Sequence, residues 1–286
     1  MPSLRGLPRP FVVGVVVEEA AGQVAPAVRR VADEGCHVAE VNLAALSGVG
    51  TVPWSGDASA TLPIPVYTTA RRRAFMAAYG LDPTRLPDID DDRRMRWQLD
   101  LLTTGSVALD LELDTFAPEP SPPPGSGEAL DLGATRGPAC ELTDDPRAIA
   151  AQRAVIGDAH DRGGDVIASC HTGTRQRADE LIRIVETAAD RGADLVKVVV
   201  PCPAIDDLFD LLRATARLTE RRSLPFSIVG TGACGALSRY IGAHLGSGWF
   251  FARSPGDPSG FAEQPTAEDI GCVLEAIGWR YPEVIR

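Results

Sequence analysis

Eight short apolar runs recur along the chain, each separated from the next by a longer amphipathic stretch, and that alternation leaves few ways to fold. The runs fall at 11–17, 37–43, 64–68, 107–113, 165–169, 195–200, 226–230 and 248–252. They are strand-length, rich in Val, Leu, Ile and Phe, and read as strands covered on both faces. Helical patterns occupy 24–34, 93–103, 145–160, 175–191, 205–221, 235–245 and 267–277. The third of these opens on Asp145-Pro146, a capping residue followed by proline at the first helical position. Repeated βα units return the chain to the same end of a parallel sheet, and eight of them favour closure over an open sheet. The expectation is an α/β protein, a single (βα)8 TIM barrel spanning 1–286.

Two stretches break the rhythm. Residues 117–138 include Pro118, Pro120, Pro122, Pro123 and Pro124 with several glycines, which predicts a flexible surface excursion after the fourth strand. Residues 82–94, carrying Asp88, Asp90, Asp91 and Asp92, read as a solvated connection whose spacing fits no defined metal loop.

With 44% hydrophobic and 23% charged residues the chain can bury a sizeable core. A formal net charge of −11 disfavours nucleic acid or anionic membrane as partner, because the long-range field repels phosphate. The six cysteines show no CxxC spacing and are read as free thiols, with no metal expected. The run at 11–17 is too short to cross a bilayer and leads into Glu18-Glu19, so a cytoplasmic location is expected.

Lys197 is the only lysine; the other twenty-seven basic residues are arginine. It sits inside Leu195-Val196-Lys197-Val198-Val199-Val200, where a charged head is seldom buried without purpose. Desolvation of an amine favours the neutral form, which attacks a ketone to give a Schiff base, chemistry closed to arginine. Alternatively the head snorkels to solvent and the residue has no role.

In a barrel of this kind reactive groups gather at the C-terminal ends of the strands. His171 follows the fifth run, one strand from Lys197, and an imidazole suits general acid–base work there. Glu40 lies in the second run. Asp110 and Glu112 alternate with leucines in the fourth, so they share a face and, if interior, must pair with Lys197, His171 or an arginine. After the seventh run Gly230-Thr231-Gly232 leads to Arg239, whose fork suits a substrate carboxylate. Arg71-Arg72-Arg73 places further cations past the third run.

Ala193-Asp194-Leu195-Val196-Lys197, the histidine one strand earlier, and 232–239 followed by Leu245-Gly246-Ser247 together resemble the type I 3-dehydroquinate dehydratases. The resemblance runs from about Phe11 to the last helix and is strongest from Asp165 onward. It implies a (βα)8 barrel, a homodimer, a small carboxylate substrate and no metal or nucleotide cofactor. It also implies dehydration of 3-dehydroquinate to 3-dehydroshikimate through an imine on Lys197, with His171 as proton shuttle. Arg239 would hold the carboxylate, and Glu40, Arg71, Ser259 and Gln264 would complete the substrate shell, Gln264 from a closing segment after the eighth strand. Asp110 and Glu112 match an Asp-x-Glu strand and act as supporting carboxylates.

The chain departs from that pattern at several points. Asn42 stands where an arginine is usual, and Arg71, counted from Thr68, is displaced by one residue beyond Ala70. The glutamate that would tune the histidine falls near Ala74 and is missing, and Thr172 replaces an aspartate. The segment 260–264 departs from Ser-x-Pro-Gly-Gln. Two further readings therefore stand beside dehydration of 3-dehydroquinate: the same imine chemistry on another cyclic polyhydroxylated keto acid, or a non-catalytic ligand-binding relative.

Overall fold

The computed structural model describes residues 3–54, 62–78, 81–119, 135–255 and 264–278. Eight strands form one parallel sheet: β1 Phe11–Val16, β2 Val38–Asn42, β3 Val66–Thr69, β4 Ala108–Glu112, β5 Asp165–His171, β6 Leu195–Pro201, β7 Phe226–Thr231 and β8 Trp249–Ala252. Their order is β7-β6-β5-β4-β3-β2-β1-β8, so every neighbour in sequence from β1 to β7 is a neighbour in space. Across the remaining seam, Gly248 N–H donates to Phe226 O at 2.6 Å and Ser227 Oγ to Trp249 O at 3.0 Å. The result is a (βα)8 barrel, as the eightfold alternation predicts.

Period two sorts each strand between two environments. Phe11, Val13, Val38, Tyr67, Ala108, Ile167, Leu195, Trp249 and Phe251 fill the interior in one cluster, with Phe11 stacked on Trp249 at 5.7 Å. Their neighbours in the chain, such as Val12, Ala39, Val196 and Phe250, face the helices. Burying each large side chain stabilises the fold by about 1.5–3 kcal/mol. Above the apolar plug, toward the strand ends, interior positions switch to Glu40, Asp110, Glu112, Ser169 and Lys197, all buried. The polar layer rests on a dry floor.

The helices are α1 Ala21–Asp33, α2 Arg73–Ala78, α3 Asp91–Leu102, α4 Pro146–Asp161, α5 Ala178–Arg191, α6 Ile205–Glu220, α7 Ser238–Ile241 and α8 Ala267–Ile277. Asp145 caps α4 as expected, accepting from the N–H groups of Arg147 and Ala148. Four expectations need correction. Helix α2 carries no periodic signal because it has only six residues. Helix α3 starts two residues earlier than the pattern predicts, capped by Asp90, and Asp91 is engaged by Arg72 and Arg94, so this part of the acidic stretch is not a solvated connection.

The stretch 235–245 is not one helix but α7 flanked by 3-10 turns, because the chain must pass close to β7. A Cβ on Gly235 would lie 2.4 Å from Gly230 C, too close for any other residue. Finally, the proline-rich excursion is not loose along its whole length. Residues 120–134 lie outside the described part, but the stretch that follows is stitched onto the barrel end: Arg175 N–H donates to Thr135 O at 2.8 Å, Thr174 Oγ1 to Pro138 O at 2.9 Å and Cys140 N–H to Thr172 O at 2.8 Å.

Candidate active site

A cavity of about 910 Å³, counting its open mouth, sits at the C-terminal end of the barrel and is lined by Glu40, Arg71, His171, Lys197, Arg239 and Gln264. Six of the seven residues expected to catalyse or bind substrate thus meet in one place. The seventh, Ser259, lies outside the described residues.

Lys197 projects from β6 and is 8% exposed. Its Nζ lies 3.4 Å from Glu40 Oε2 and 4.2 Å above the Phe251 ring. Glu40 Oε2 also accepts from the Tyr67 hydroxyl at 2.5 Å. Burial pushes the Glu40 carboxyl up, but Lys197, the Tyr67 hydrogen bond and Arg71 outweigh it and hold it below its ordinary value. Glu40 therefore anchors the amine from across the barrel.

His171 ends β5, where strand register puts Ser169 beside Lys197 and His171 beside Val199. Its Nδ1 lies 2.7 Å from Glu141 Oε2, and the same oxygen accepts from the His171 backbone N–H at 2.7 Å. With that oxygen already turned toward the residue as an acceptor, we assign Nδ1 as the donor, which leaves Nε2 with its lone pair. Phe75 packs edge-on against the ring at 5.0 Å. Burial, then the charges of Arg71 and Lys197, hold the imidazole well below its ordinary pKa, so it is neutral.

Glu141 has no counterpart among the expected site residues. Near Ala74, where the family pattern has a carboxylate, Phe75 contributes a hydrocarbon edge, and the acid that meets the His171 ring is Glu141. It arrives from the segment between β4 and α4, where Thr143 N–H donates to Leu113 O and Arg191 Nη2 donates to Thr143 O at 2.5 Å. The one sequence signal available is an acid flanked by Cys140 and Leu142, an apolar setting for a charge. Burial raises the Glu141 carboxyl above its ordinary range.

Arg71 needs two corrections. Counted from Thr69 the spacing is Thr69-Ala70-Arg71, an undisplaced Thr-x-Arg. Its guanidinium also reaches beyond a substrate role. It donates to Asp110 Oδ2 and Ser169 Oγ, each at 3.1 Å, and lies 3.4 Å from Glu112 Oε1, 3.5 Å from Glu141 Oε2 and 3.3 Å from His171 Nδ1. Asp110 and Glu112 are interior, as their alternation predicts. Burial lifts Asp110 to about 6, whereas Arg94, Arg71 and Arg72 overcome burial at Glu112 and hold it at about 2.

Arg239 is 4% exposed and positioned by Ser238, whose hydroxyl accepts from Gly230 N–H at 2.8 Å and donates to Gly235 O at 2.6 Å. Gln264 is held by its backbone oxygen, which accepts from Arg253 Nε at 2.9 Å. Its buried Oε1 has no hydrogen-bond partner among the described residues. Arg253, which no sequence pattern singles out, lines the cavity beside it. Of two departures, Asn42 lines the cavity with its Oδ1 accepting from Ala44 N–H, and Thr172, outside the lining, donates its Oγ1 hydroxyl to Thr174 O.

Fold and site together define a (βα)8 barrel protein with a buried lysine and a buried histidine on adjacent strands of one cavity at the C-terminal end of the barrel. Within it, a family model described as type I 3-dehydroquinase matches residues 138–280, and the chain belongs to that family. A 3-dehydroquinate dehydratase of Aromatoleum aromaticum is 34% identical over 113 residues, 39% of this chain and 43% of that one. One from Klebsiella pneumoniae is 35% identical over 101 residues, 35% of this chain and 40% of that one. The chain therefore aligns with about two fifths of the length of these curated relatives.

Likeness of fold extends further. A Geobacillus kaustophilus 3-dehydroquinate dehydratase superposes with TM-score 0.72 at 18% identity, covering 97% of this chain and 96% of that one. A type I enzyme from Clostridium difficile, solved with covalently modified comenic acid, gives TM-score 0.71 at 18% identity over 95% and 93% of the two chains.

Proposed function

We propose that the chain is an imine-forming hydro-lyase, with 3-dehydroquinate the first substrate to test. The observation that carries this reading is the single lysine of the chain, buried in the cavity with the His171 imidazole lining the same cavity. Lys197 Nζ adds to the ketone carbon, and loss of water leaves a protonated imine. The iminium withdraws electrons and acidifies the adjacent C–H. His171 Nε2 takes that proton, its Nδ1–H held on Glu141, to give an enamine. The enamine then expels the β-hydroxyl, which leaves as water with the proton returned by His171. Hydrolysis of the product imine releases the conjugated ketone and restores the amine.

The remaining groups serve binding. Arg239 faces the carboxylate as a bidentate partner. Gln264 Oε1, buried and without a partner among the described residues, accepts from a substrate hydroxyl. Glu40 holds the amine in place at 3.4 Å before the substrate arrives. Arg71, bound by carboxylates on several sides, fixes the acids behind His171.

The test is borohydride reduction in the presence of 3-dehydroquinate, read by mass spectrometry, with Lys197→Met as control. An adduct on Lys197 and loss of turnover in the variant are expected. Unaltered activity in Lys197→Met refutes the imine, since no second lysine exists to replace it.

A further inference from the structure

One cation of the cavity lining differs from those already described. Arg71 is committed to Asp110, Glu112 and Glu141, and Lys197 Nζ faces Glu40 at 3.4 Å. Arg253 lines the same cavity from the first position past β8. Among the described residues its side chain makes one hydrogen bond, from Nε to Gln264 O at 2.9 Å, and no ion pair. Its backbone N–H donates to Pro265 O at 3.0 Å, and the next residue, Ser254, is pinned in turn by its hydroxyl on Glu34 Oε2 at 2.7 Å. Asp269 feels the charge of Arg253 but does not neutralise it. That exposed carboxyl is held below its ordinary range first by Thr266 and last by Arg253, and its Oδ2 already accepts from the Thr266 N–H at 3.0 Å and hydroxyl at 2.7 Å.

These bonds orient the guanidinium without using it up. Nε and the backbone are spent on residues 264 and 265, which leaves the donors of Nη1 and Nη2 for a ligand. A fork held in place beforehand loses little freedom when it takes a carboxylate, and charge-assisted N–H···O bonds are the strong ones. Arg239 and Gln264 line the same cavity, and the strands that lead to the two arginines, β7 and β8, are neighbours across the seam of the barrel. A carboxylate has more lone pairs than one bidentate arginine can satisfy. We infer that Arg253 is a second carboxylate-recognising residue, so that the acid group of the substrate is selected by a pair of arginines, Arg239 and Arg253. The inference rests on the imine-forming reading, in which a keto acid enters this cavity, and assigns that reading a further specificity-determining residue. It also gives the Nε bond a use: the side chain that meets the acid group is the one that seats Gln264.

The test compares 3-dehydroquinate with its methyl ester, which keeps the ketone and the hydroxyls but carries no charge. For the full chain, the concentration of each compound that half-saturates borohydride trapping on Lys197 is measured in the unsubstituted protein, Arg253→Ala and Arg253→Lys. Arg253→Ala is expected to raise that concentration about 10–100-fold for the acid and by less than about twofold for the ester. Arg253→Lys loses the Nε bond to Gln264 but keeps a positive charge, and is expected to recover about threefold or more of the loss for the acid. If Arg253 serves only to seat Gln264, or pairs with an acid of its own chain, the lysine variant is as weak as the alanine variant, or the ester loses as much as the acid. Either result overturns the inference and leaves the imine intact, as does an unchanged value for the acid in Arg253→Ala. Absence of a trapped Lys197 adduct with either compound in the unsubstituted protein overturns the imine reading itself, and the inference with it.

Discussion

Replacing Glu141 with glutamine tests the least expected part of the site. The carboxylate accepts from the His171 backbone N–H and from Nδ1, both at 2.7 Å, and it does not line the cavity. The substitution therefore leaves substrate contacts alone and removes only the charge behind the imidazole. A glutamine oxygen can still accept from Nδ1–H, so the base keeps its tautomer. What is lost is the charge that stabilises the imidazolium formed when His171 takes the substrate proton. A hydrogen bond to a charged group contributes about 1.5–3 kcal/mol, against about 1 kcal/mol for a neutral one. The difference corresponds to a fall in kcat on the order of 10-fold, with KM little changed.

Glu141→Ala also frees the ring to rotate and to take the other tautomer. There the loss approaches the full contribution of a positioned acid–base, about 10²–10⁴-fold. Both variants should still form the trapped Lys197 adduct, more slowly, because the amine keeps Glu40 at 3.4 Å. The assay is steady-state formation of the conjugated ketone across a pH series, with thermal melts to confirm folding. If Glu141→Ala retains kcat within about twofold of the unsubstituted protein, the carboxylate has no part in holding the base and the assignment of Nδ1 as donor collapses.

Three further outcomes follow from the geometry. Since burial, Arg71 and Lys197 hold His171 well below its ordinary pKa, the free imidazole stays unprotonated as pH falls through 6.5; the acid limb of kcat/KM should lie below that value, and a limb centred at or above 6.5 contradicts the neutral, buried base. Arg239→Ala should raise KM for a carboxylate substrate by about 10–100-fold with a smaller change in kcat, the signature of a lost charge-assisted contact; an unchanged KM places the carboxylate elsewhere. Gly235→Ala must push a Cβ against the backbone of Gly230, 2.4 Å away, so a loss of about 1–3 kcal/mol in denaturant unfolding is expected, together with displacement of Arg239; unchanged stability and activity refute the close approach as the reason for glycine there.

Which parts of this were legible in the sequence follows from how local each signal is. The strands were readable because a doubly covered parallel strand writes its apolar run in consecutive residues. Lys197, His171 and Arg239 were readable because strand ends converge at one face of a barrel, whatever the side chains between them. Glu141 was not, because it reaches His171 across the end of β5 from a connection that follows fifteen residues of proline-rich sequence outside the described part. Helix α2 leaves no signal in the sequence for a different reason, its length. Six residues hold less than two turns, too few for a period to show, yet they supply Phe75 and Met76 to the cavity. The family match begins at residue 138, so the segments that carry Asn42, Arg71 and α2 lie outside it. Asn42 is among the positions at which the chain departs from the family pattern.

Charge balance explains why the carboxylates behind His171 behave so differently from one another. Ion pairs link six acids (Glu40, Asp91, Asp110, Glu112, Asp114 and Glu141) to four cations (Arg71, Arg72, Arg94 and Lys197). Six against four leaves two negative charges uncompensated in a poorly solvated layer, and such groups tend to retain protons instead. Glu112, with Arg94 donating to both of its oxygens at 3.0 Å, stays ionised. Asp110, Asp114 and Glu141 share the excess: burial is the main cause in each, lifting the first two to about 6 and Glu141 above its ordinary range.

The sign of the resulting pH dependence is fixed. An acid whose folded pKa exceeds its unfolded value contributes stability that is complete below about pH 4 and lost as pH rises through about 6. Moving Asp110 from 3.8 to about 6 corresponds to about 3 kcal/mol of pH-dependent stability. Asp110→Asn removes that titration while keeping an acceptor for the Ser169 hydroxyl or for Arg71. Relative to the unsubstituted protein, the variant should therefore gain stability as pH is raised from about 4 to about 7, read from urea midpoints at intervals across that range. A variant whose midpoints run parallel to those of the unsubstituted protein shows that Asp110 is ionised throughout, and that the surplus charge rests on another acid of the group.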